Sequence, residues 1–178
     1  MLETCRREFS RAARAGESVS ILSIDVDHFK KYNDNHGHDA GDMVLRAVGQ
    51  CLDGLFRNED VPCRFGGEEF VVILSGANAE VAARRAEQLR SKVEGIAVHY
   101  FEKDLPRITV SIGVAVFPQA GDTPQDILKG ADEALYRAKE NGRNRVELSE
   151  AAAVRAEALP SGAMQRAHPP RTGNGTSL

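Results

Sequence analysis

The chain has 178 residues, of which 42% are hydrophobic and 28% are charged, and these proportions exclude collagen-like, fully disordered and membrane-spanning chains. Its 23 Lys and Arg residues and 26 Asp and Glu residues give a net charge of −3, which argues against binding a nucleic acid polymer over the whole surface. Cys5, Cys51 and Cys63 are odd in number and widely spaced, so we expect a reduced, cytoplasmic protein with neither a disulfide framework nor a zinc site.

Helical and strand patterns alternate along the chain. The charged N-terminus is predicted to be the end of a helix, and residues 19–26 (VSILSIDV), rich in β-branched residues, predict a buried strand that ends in acids. Apolar residues then recur at helical spacing in three segments, which begin near residues 42, 82 and 127. Residues 107–117 predict another strand with a candidate partner at residues 97–101, and residues 144–148 predict a last short strand.

Two strand-like runs, VPCRF and EEFVVIL, flank Gly66 and Gly67. Because both glycines can adopt φ > 0, this pattern predicts a β-hairpin with Glu68 at its tip. Together the elements predict an α/β (α+β) sandwich, in which a mostly antiparallel sheet of five strands is flanked by helices.

The composition changes near residue 150. From there on, the strongly apolar residues are Val154, Leu159 and Leu178, whereas three of the seven prolines lie in this segment. Such a segment buries too little apolar surface to offset the entropy lost on ordering. We therefore predict a folded domain over residues 1–149 and a flexible tail over residues 150–178, with at most a short helix in its Ala-rich part.

The most polar region runs from Asp25 to Asp42 and holds five aspartates, two asparagines and three histidines in 18 residues. A calcium-binding loop needs a glycine at its sixth position, where this sequence has Lys30. His36 and His38 lack the further His or Cys ligand of a typical zinc site. A solvated loop and a ligand-binding loop both remain open.

Two carboxylates point to a metal site if the first strand and the hairpin are neighbours. Asp25 would then lie beside Glu68, and Mg²⁺ or Mn²⁺ typically takes such oxygen ligands together with substrate phosphates and water. Lys30, Lys139 and Arg143 are candidates for gripping a triphosphate. The residues themselves thus favour metal-dependent phosphoryl or nucleotidyl transfer.

Four segments, IDVDHFKKYNDNHGHDAGD, RFGGEEF, ITVSIGVAV and ADEALYRAKENGRN, occur in this order. Over residues 3–148 the chain resembles the GGDEF-domain diguanylate cyclases, which join two GTP molecules into cyclic di-GMP and release two pyrophosphates. The resemblance implies the fold of nucleotidyl cyclases and polymerase palms. GGEEF replaces GGDEF here and keeps a carboxylate at the third position. The family's opening turn with an Asn-Arg-Arg motif has no counterpart, so we expect that a sensory region N-terminal to this chain is missing.

The resemblance also implies roles for residues at the end of the first strand and in the hairpin. Asp25, Glu68 and the Val26 carbonyl would bind two divalent ions, Mg²⁺ or Mn²⁺. Glu68 would also be the general base for the attacking 3′-hydroxyl, with Glu69 beside it. Lys30 would offset charge on the reacting phosphate, which main-chain N–H groups from Asp27 to Phe29 would also contact.

For substrate binding, the resemblance implies that Asn33 and Asp42 read guanine, that His38 lies by the base or ribose, and that Lys139 and Arg143 hold the β and γ phosphates from one helix face. Each of these has a simpler interpretation. Asp42 is a candidate N-cap of the helix that begins there, and Lys139 and Arg143 suit the C-terminal end of any helix. Three phenylalanines are interpreted as core residues rather than stacking platforms: Phe29, Phe65 and Phe70.

Arg57 and Asp60 form the Arg-x-x-Asp pattern at the family's spacing before the hairpin, where cyclic di-GMP binds and inhibits. The second arginine that family members often add from the next helix is Gln88 here, so feedback is either weaker or uses Arg84 or Arg85.

The resemblance implies a homodimer, because one site holds one GTP and ring closure needs two facing domains. The alternative is a receptor that binds cyclic di-GMP or GTP without turnover, which has no need of the metal carboxylates. A polymerase-palm or adenylyl cyclase relative is disfavoured by Asn33 and Asp42. We expect no nucleic acid polymer as a partner and no membrane contact by this segment.

Overall fold

The computed structural model describes residues 2–100 and 103–157. Six helices and seven strands occur in this part of the chain, in the order α1 (Leu2–Ala15), β1 (Val19–Val26), α2 (Phe29–His36), α3 (His38–Leu55), β2 (Val61–Arg64), β3 (Glu69–Ser75), α4 (Ala79–Glu94), β4 (His99–Tyr100), β5 (Lys103–Asp104), β6 (Val110–Phe117), α5 (Pro124–Glu140), β7 (Val146–Leu148) and α6 (Glu150–Glu157).

Five of the strands form one sheet in the order β2-β3-β1-β6-β7. All neighbours are antiparallel except β6 and β7, so the predicted fold class is confirmed. The prediction that residues 97–101 pair with the strand at residues 107–117 is wrong. β4 pairs instead with β5 in a separate two-stranded hairpin, which closes locally and leaves both edges of β6 to β1 and β7.

The core lies on both faces of the sheet, and β1 is buried along its whole length. Alternate residues such as Leu22 and Ile24 pack with α3 and α4, whereas Ile21 packs on the opposite face with α1 and α5. Helix α5 approaches β6 closely at Gly113, where a Cβ atom would lie 2.1 Å from the Ala131 carbonyl oxygen. The sheet is therefore covered on both sides, and its polar residues collect where β1 ends.

Helix α2 is an element that the sequence patterns did not predict, because only Phe29 and Tyr32 of its eight residues are buried. It follows β1 directly and is separated from α3 by Gly37, which has φ 85°. Two helices thus replace the single polar loop that was considered for this region.

The predicted division of the chain at residue 150 stays a prediction. Helix α6 runs over Glu150–Glu157, and Ala152 is fully buried in the main core cluster, so the described start of the predicted tail is packed. Residues 158–178 lie outside the described residues. Within the described ranges, no helix combines the length and the hydropathy needed to span a bilayer.

Candidate active site

The end of β1 and the hairpin between β2 and β3 meet at one edge of the sheet. Asp25 lies opposite Glu69 in the antiparallel register, and the Val26 N–H donates to the Glu68 carbonyl at 3.2 Å. The pairing of β1 with β3 therefore brings Asp25, Val26 and Glu68 together, as the sequence argument for two carboxylates at one edge requires.

The electrostatics of this edge are dominated by negative charge. Burial, and then the charge of Asp25, raise the pKa of the Glu68 carboxyl above its ordinary value, while Lys139 acts in the opposite direction. The Lys139 Nζ lies 2.8 Å from Asp25 Oδ2, and the Asp25 side chain is only 9% exposed. Lys139 thus faces the carboxylates of Asp25, Glu68 and Glu69. The net negative charge that remains at this edge attracts a further cation.

The donor set suits a magnesium ion better than a metal held by protein ligands alone. Among the described residues, no group of three or more His, Cys, Asp or Glu side chains is placed to hold a metal. Mg²⁺ usually takes one or two carboxylates and obtains its remaining ligands from water and phosphates. Asp25, Glu68 and the Val26 carbonyl fit that pattern.

The hairpin that carries Glu68 is held by its own backbone and by Arg64. The Arg64 guanidinium donates to the carbonyls of Gly67 at 2.6 Å and of Gly66 at 3.3 Å. The prediction of φ > 0 at both glycines is wrong, because residues 65–68 form a four-residue connection in which neither glycine is left-handed. At Gly66 a Cβ atom would lie 2.5 Å from Glu69 Oε2, so a larger residue there would require the exposed Glu69 side chain to move. The role of Arg64 was missed by sequence reasoning.

Lys139 and Arg143 do not share a helix face, so that part of the sequence prediction is wrong. Helix α5 ends at Glu140, and Gly142 with φ 110° and Arg143 with φ 62° lead the chain away from the helix axis. A left-handed glycine just past the last turn is a common helix terminator. Arg143 nevertheless stays near, with Nη1 3.4 Å from the Lys139 carbonyl oxygen.

A second group of predicted residues lies where α2 meets α3. Asn33 packs so closely on Gly41 that a Cβ atom at Gly41 would lie 1.8 Å from Asn33 Oδ1. This buried oxygen has no hydrogen-bond partner among the described residues, and a buried acceptor without a partner is costly. Asn33 is therefore suited to receive a donor from a ligand.

Asp42 is not the N-cap of α3, so that interpretation is wrong. Gly37 precedes the first residue of the helix, His38, which leaves Asp42 one turn inside and exposed. Asp42 lines a cleft of about 360 Å³ whose other walls come from α3, β2 and β3. Because Asn33 lies beside Gly41, the predicted base-reading pair sits on adjoining helices.

The start of α2 has features of a phosphate site. Lys30 is exposed on its first turn, and no side chain caps the helix after the left-handed His28. The first N–H groups of a helix attract anions. The Asp27 N–H is not available for this role, because it donates to the Thr109 carbonyl, and that part of the prediction is wrong.

The predicted core phenylalanines divide into two groups. Phe29 and Phe70 are buried, whereas Phe65 is 61% exposed, so the prediction for Phe65 is wrong. It belongs to the hairpin loop rather than to a strand. Phe65 and Tyr136 line a shallow groove beside Glu69 and Lys139.

Asp27 is buried and fully engaged, although it lies only two residues from Asp25. It accepts hydrogen bonds from the hydroxyls of Thr109 and Ser111, both at 2.6 Å, and from the Asn144 N–H at 3.0 Å. The sequence carries no signal that separates the two aspartates.

The Arg57 side chain is largely exposed, while the main-chain N–H of Arg57 donates to Asp60 Oδ2 at 2.9 Å. The same oxygen is 2.5 Å from Arg85 Nη1 of α4, and the Asp60 side chain is only 1% exposed. Its other oxygen is buried and has no partner among the described residues. Asp60 is thus held by Arg85, one of the two arginines that the sequence suggested, while Gln88 is exposed.

A family model described as "Diguanylate cyclase, GGDEF domain" matches residues 1–145. The chain is 47% identical over 137 residues to the response regulator PleD of Caulobacter vibrioides, covering 76% of this chain and 30% of that protein. It is 44% identical over 133 residues to diguanylate cyclase A of Treponema denticola, covering 75% of this chain and 36% of that protein. The chain spans about a third of the length of these curated relatives.

Two solved structures are similar in fold. The GGDEF domain of DgcB from Caulobacter crescentus, in complex with c-di-GMP, has a TM-score of 0.79 and 33% identity, covering 83% of this chain and 87% of that chain. The active GGEEF domain of a diguanylate cyclase from Vibrio cholerae has a TM-score of 0.78 and 35% identity, covering 84% of this chain and 94% of that chain.

Proposed function

The chain belongs to the GGDEF-domain family of diguanylate cyclases, and from this membership we propose that it condenses two GTP molecules into cyclic di-GMP and releases two pyrophosphates. The observation that supports this most strongly is the meeting of β1 with the hairpin, which gathers Asp25, Val26 and Glu68 at one sheet edge. A receptor without turnover has no need for this surplus of carboxylates.

Asp25, Glu68 and the Val26 carbonyl are the groups that would bind two divalent ions, Mg²⁺ or Mn²⁺. When bound, such ions neutralise charge on the triphosphate and on the pyrophosphate that leaves. Lys139 pairs with Asp25 at 2.8 Å, and it would hold the β and γ phosphates when the ions are bound. Arg143 contacts the same phosphates from the loop beyond α5.

In each condensation step, the 3′-oxygen of one GTP forms a bond to the α-phosphorus of the other, and the bond to pyrophosphate breaks. Glu68 accepts the 3′-hydroxyl proton, the role that the family resemblance implies for it. Glu69 lies next to it. Lys30 and the first N–H groups of α2, at Phe29, offset the charge that develops on the phosphate.

Asn33 and Asp42 select guanine. The unpartnered Asn33 Oδ1 and the exposed Asp42 carboxylate are acceptors, and guanine presents N–H donors at N1 and N2 where adenine has an acceptor and a hydrogen. His38, exposed at the start of α3, contacts the base edge or ribose.

Two copies of the domain face each other for ring closure, because each site holds one GTP. Product feedback acts at Arg57 and Asp60. Since Arg85 pairs with Asp60 Oδ2, a guanine donor at this site would either use the unpartnered Oδ1 or displace Arg85, and the second route would weaken the feedback.

The proposal is tested by incubating the chain with GTP and Mg²⁺ over a wide range of protein concentrations. Cyclic di-GMP and pyrophosphate should form in a ratio of one to two, with a specific activity that rises with protein concentration as dimers form. Glu68→Ala should abolish the product at every concentration, whereas Glu80→Ala, a control at an exposed carboxylate of α4, should keep it. If wild type binds GTP but forms no cyclic di-GMP even when concentrated, the receptor interpretation replaces this proposal.

A further inference from the structure

The loop after α5 has an unusual backbone. Gly142, Arg143 and Asn144 have φ values of 110°, 62° and 47°, so two consecutive residues with side chains are left-handed. Such conformations persist only where the surrounding structure holds them. This loop carries Arg143, to which the proposed function assigns a phosphate contact.

Asn144 makes three hydrogen bonds that tie the loop to other elements. Its N–H donates to Asp27 Oδ2 at 3.0 Å, and its Nδ2 donates to Glu94 Oε1 at 2.9 Å. Its Oδ1 accepts from Arg90 Nη1 at 2.7 Å. The main-chain donor is therefore engaged by Asp27, just after β1, and both ends of the side-chain amide are engaged by residues of α4.

The partners of Asn144 are themselves fixed. Arg90 is 15% exposed and pairs with Glu94 at 2.8 Å. Hydrogen bonds from Arg90 and then from Asn144 lower the pKa of the Glu94 carboxyl, so it stays ionised as an acceptor. Asp27 is anchored on its other side by Thr109 and Ser111 of the chain leading into and along β6.

These bonds span the proposed active site. Asp27 follows Asp25 and Val26 directly, at the end of β1 that would bind the metal ions. Arg143 precedes Asn144 directly, and it lies against the Lys139 carbonyl at the end of α5. Asn144 thus joins the metal-bearing strand end to the phosphate-bearing loop, although it belongs to neither predicted ligand set.

We propose that Asn144 is a positioning residue, which sets the distance between the metal-binding end of β1 and the phosphate-binding loop with the help of Arg90 and Glu94. The inference rests on the proposed function in taking Mg²⁺-bound GTP as the ligand. Residues that orient metal or phosphate ligands commonly change affinity by about 10-fold or more when they are removed.

Asn144→Gly separates positioning from general stability. Glycine adopts the left-handed conformation and keeps the main-chain donor to Asp27, so only the bonds to Arg90 and Glu94 are lost. The probes are a non-hydrolysable GTP analogue with Mg²⁺, and guanosine, which has no phosphate. We expect the affinity for the analogue to fall about 10-fold, while the affinity for guanosine and the thermal unfolding midpoint change little.

Two further variants complete the experiment. Glu94→Gln alters the same network at a half-exposed position, so it should weaken binding of the analogue in the same direction even if Asn144→Gly does not fold. Glu87→Gln is the matched control, because Glu87 also pairs with Arg90 at 2.7 Å but makes no bond to Asn144; it should bind both probes as wild type does.

Several outcomes would overturn the inference. Unchanged affinity for the analogue in Asn144→Gly and Glu94→Gln would show that the loop needs no such support. Equal weakening of both probes, with a lower unfolding midpoint, would show a structural role only. Failure of wild type to bind the analogue at all would instead remove the proposed function, and the inference with it.

Discussion

Two regions of the molecule pair an aspartate with a basic residue from a helix, and they do so differently. At the proposed catalytic edge, defined by Asp25, Glu68 and Lys139, the lysine lies 2.8 Å from Asp25 and is 31% exposed. At the turn formed by residues 57–60, Asp60 and Arg85 have side chains that are 1% and 15% exposed. The lysine of the first pair is partly exposed beside a buried aspartate, whereas both side chains of the second pair are largely buried.

The difference lies in how much charge remains after pairing. At the proposed catalytic edge Glu68 adds a second carboxylate, whose pKa is raised by burial and by Asp25, so the single lysine does not neutralise both carboxylates. At the turn a single carboxylate receives the guanidinium and a main-chain N–H. A lysine is a mobile point charge, whereas an arginine forms a fixed fork. The excess negative charge at the edge is what the proposed function requires for a ligand's cation to replace the lysine, whereas the turn has no such excess.

The largest effect is expected from Asp25→Asn. The substitution removes charge from the proposed metal site, so the rate of cyclic di-GMP formation should fall by about a thousandfold, as measured by product formation from GTP and Mg²⁺. Asp132→Asn is the control. Asp132 is an exposed residue of α5 that accepts a hydrogen bond at 2.7 Å from Ser23, which lies on β1 as Asp25 does. Equal rates for the two variants would contradict the role of the edge.

The next effect concerns the turn. Arg85→Ala leaves the buried Asp60 carboxylate without its cation and should lower the free energy of unfolding by about 3 kcal/mol. Arg84→Ala removes a neighbouring but exposed pair with Glu80, at 3.9 Å, and should cost less than about 0.5 kcal/mol. Urea denaturation measures both, and a similar loss in the two variants would show that the turn is not enclosed in the way described.

The smallest of the three effects concerns feedback. Arg57 is exposed and its guanidinium pairs only loosely with Glu59, at 3.4 Å, so it remains accessible to a guanine edge or phosphate. Arg57→Ala should therefore weaken inhibition by added cyclic di-GMP about 10-fold, relative to the rate of the same variant without product. Arg7→Ala, at an exposed position of α1, should be inhibited by cyclic di-GMP to the same extent as wild type. Unchanged inhibition in Arg57→Ala would show that the Arg-x-x-Asp pattern is a chance surface pair.

Much of the fold was predictable because its patterns are long. The eight residues of β1 and the hairpin flanking Gly66 carry clear apolar runs, and the predicted bounds of β1 match the structure. Helix α2 was not predictable, because eight residues with two buried side chains show no period. The start of α3 was placed four residues late, since its first turn is polar and Gly37 rather than Asp42 precedes it.

The sequence was sufficient to predict which carboxylates lie near the candidate site, but not which groups surround each of them. Asp25 and Asp27 look alike in the sequence, yet one faces Lys139 and the other is enclosed by Thr109 and Ser111. That distinction depends on β6, whose residues lie more than 80 positions away along the chain. Arg143 was misplaced for a local reason, because the helical period was continued through Gly142.

A structure with a non-hydrolysable GTP analogue and Mg²⁺ tests the central claim most directly, because it asks which of the two regions takes the ligand. The account predicts Mg²⁺ within about 2.1 Å of oxygens of Asp25 and Glu68, with Lys139 turned from Asp25 to the phosphates and the Asp60–Arg85 pair intact. A nucleotide bound at the turn, with Lys139 still on Asp25, would contradict it.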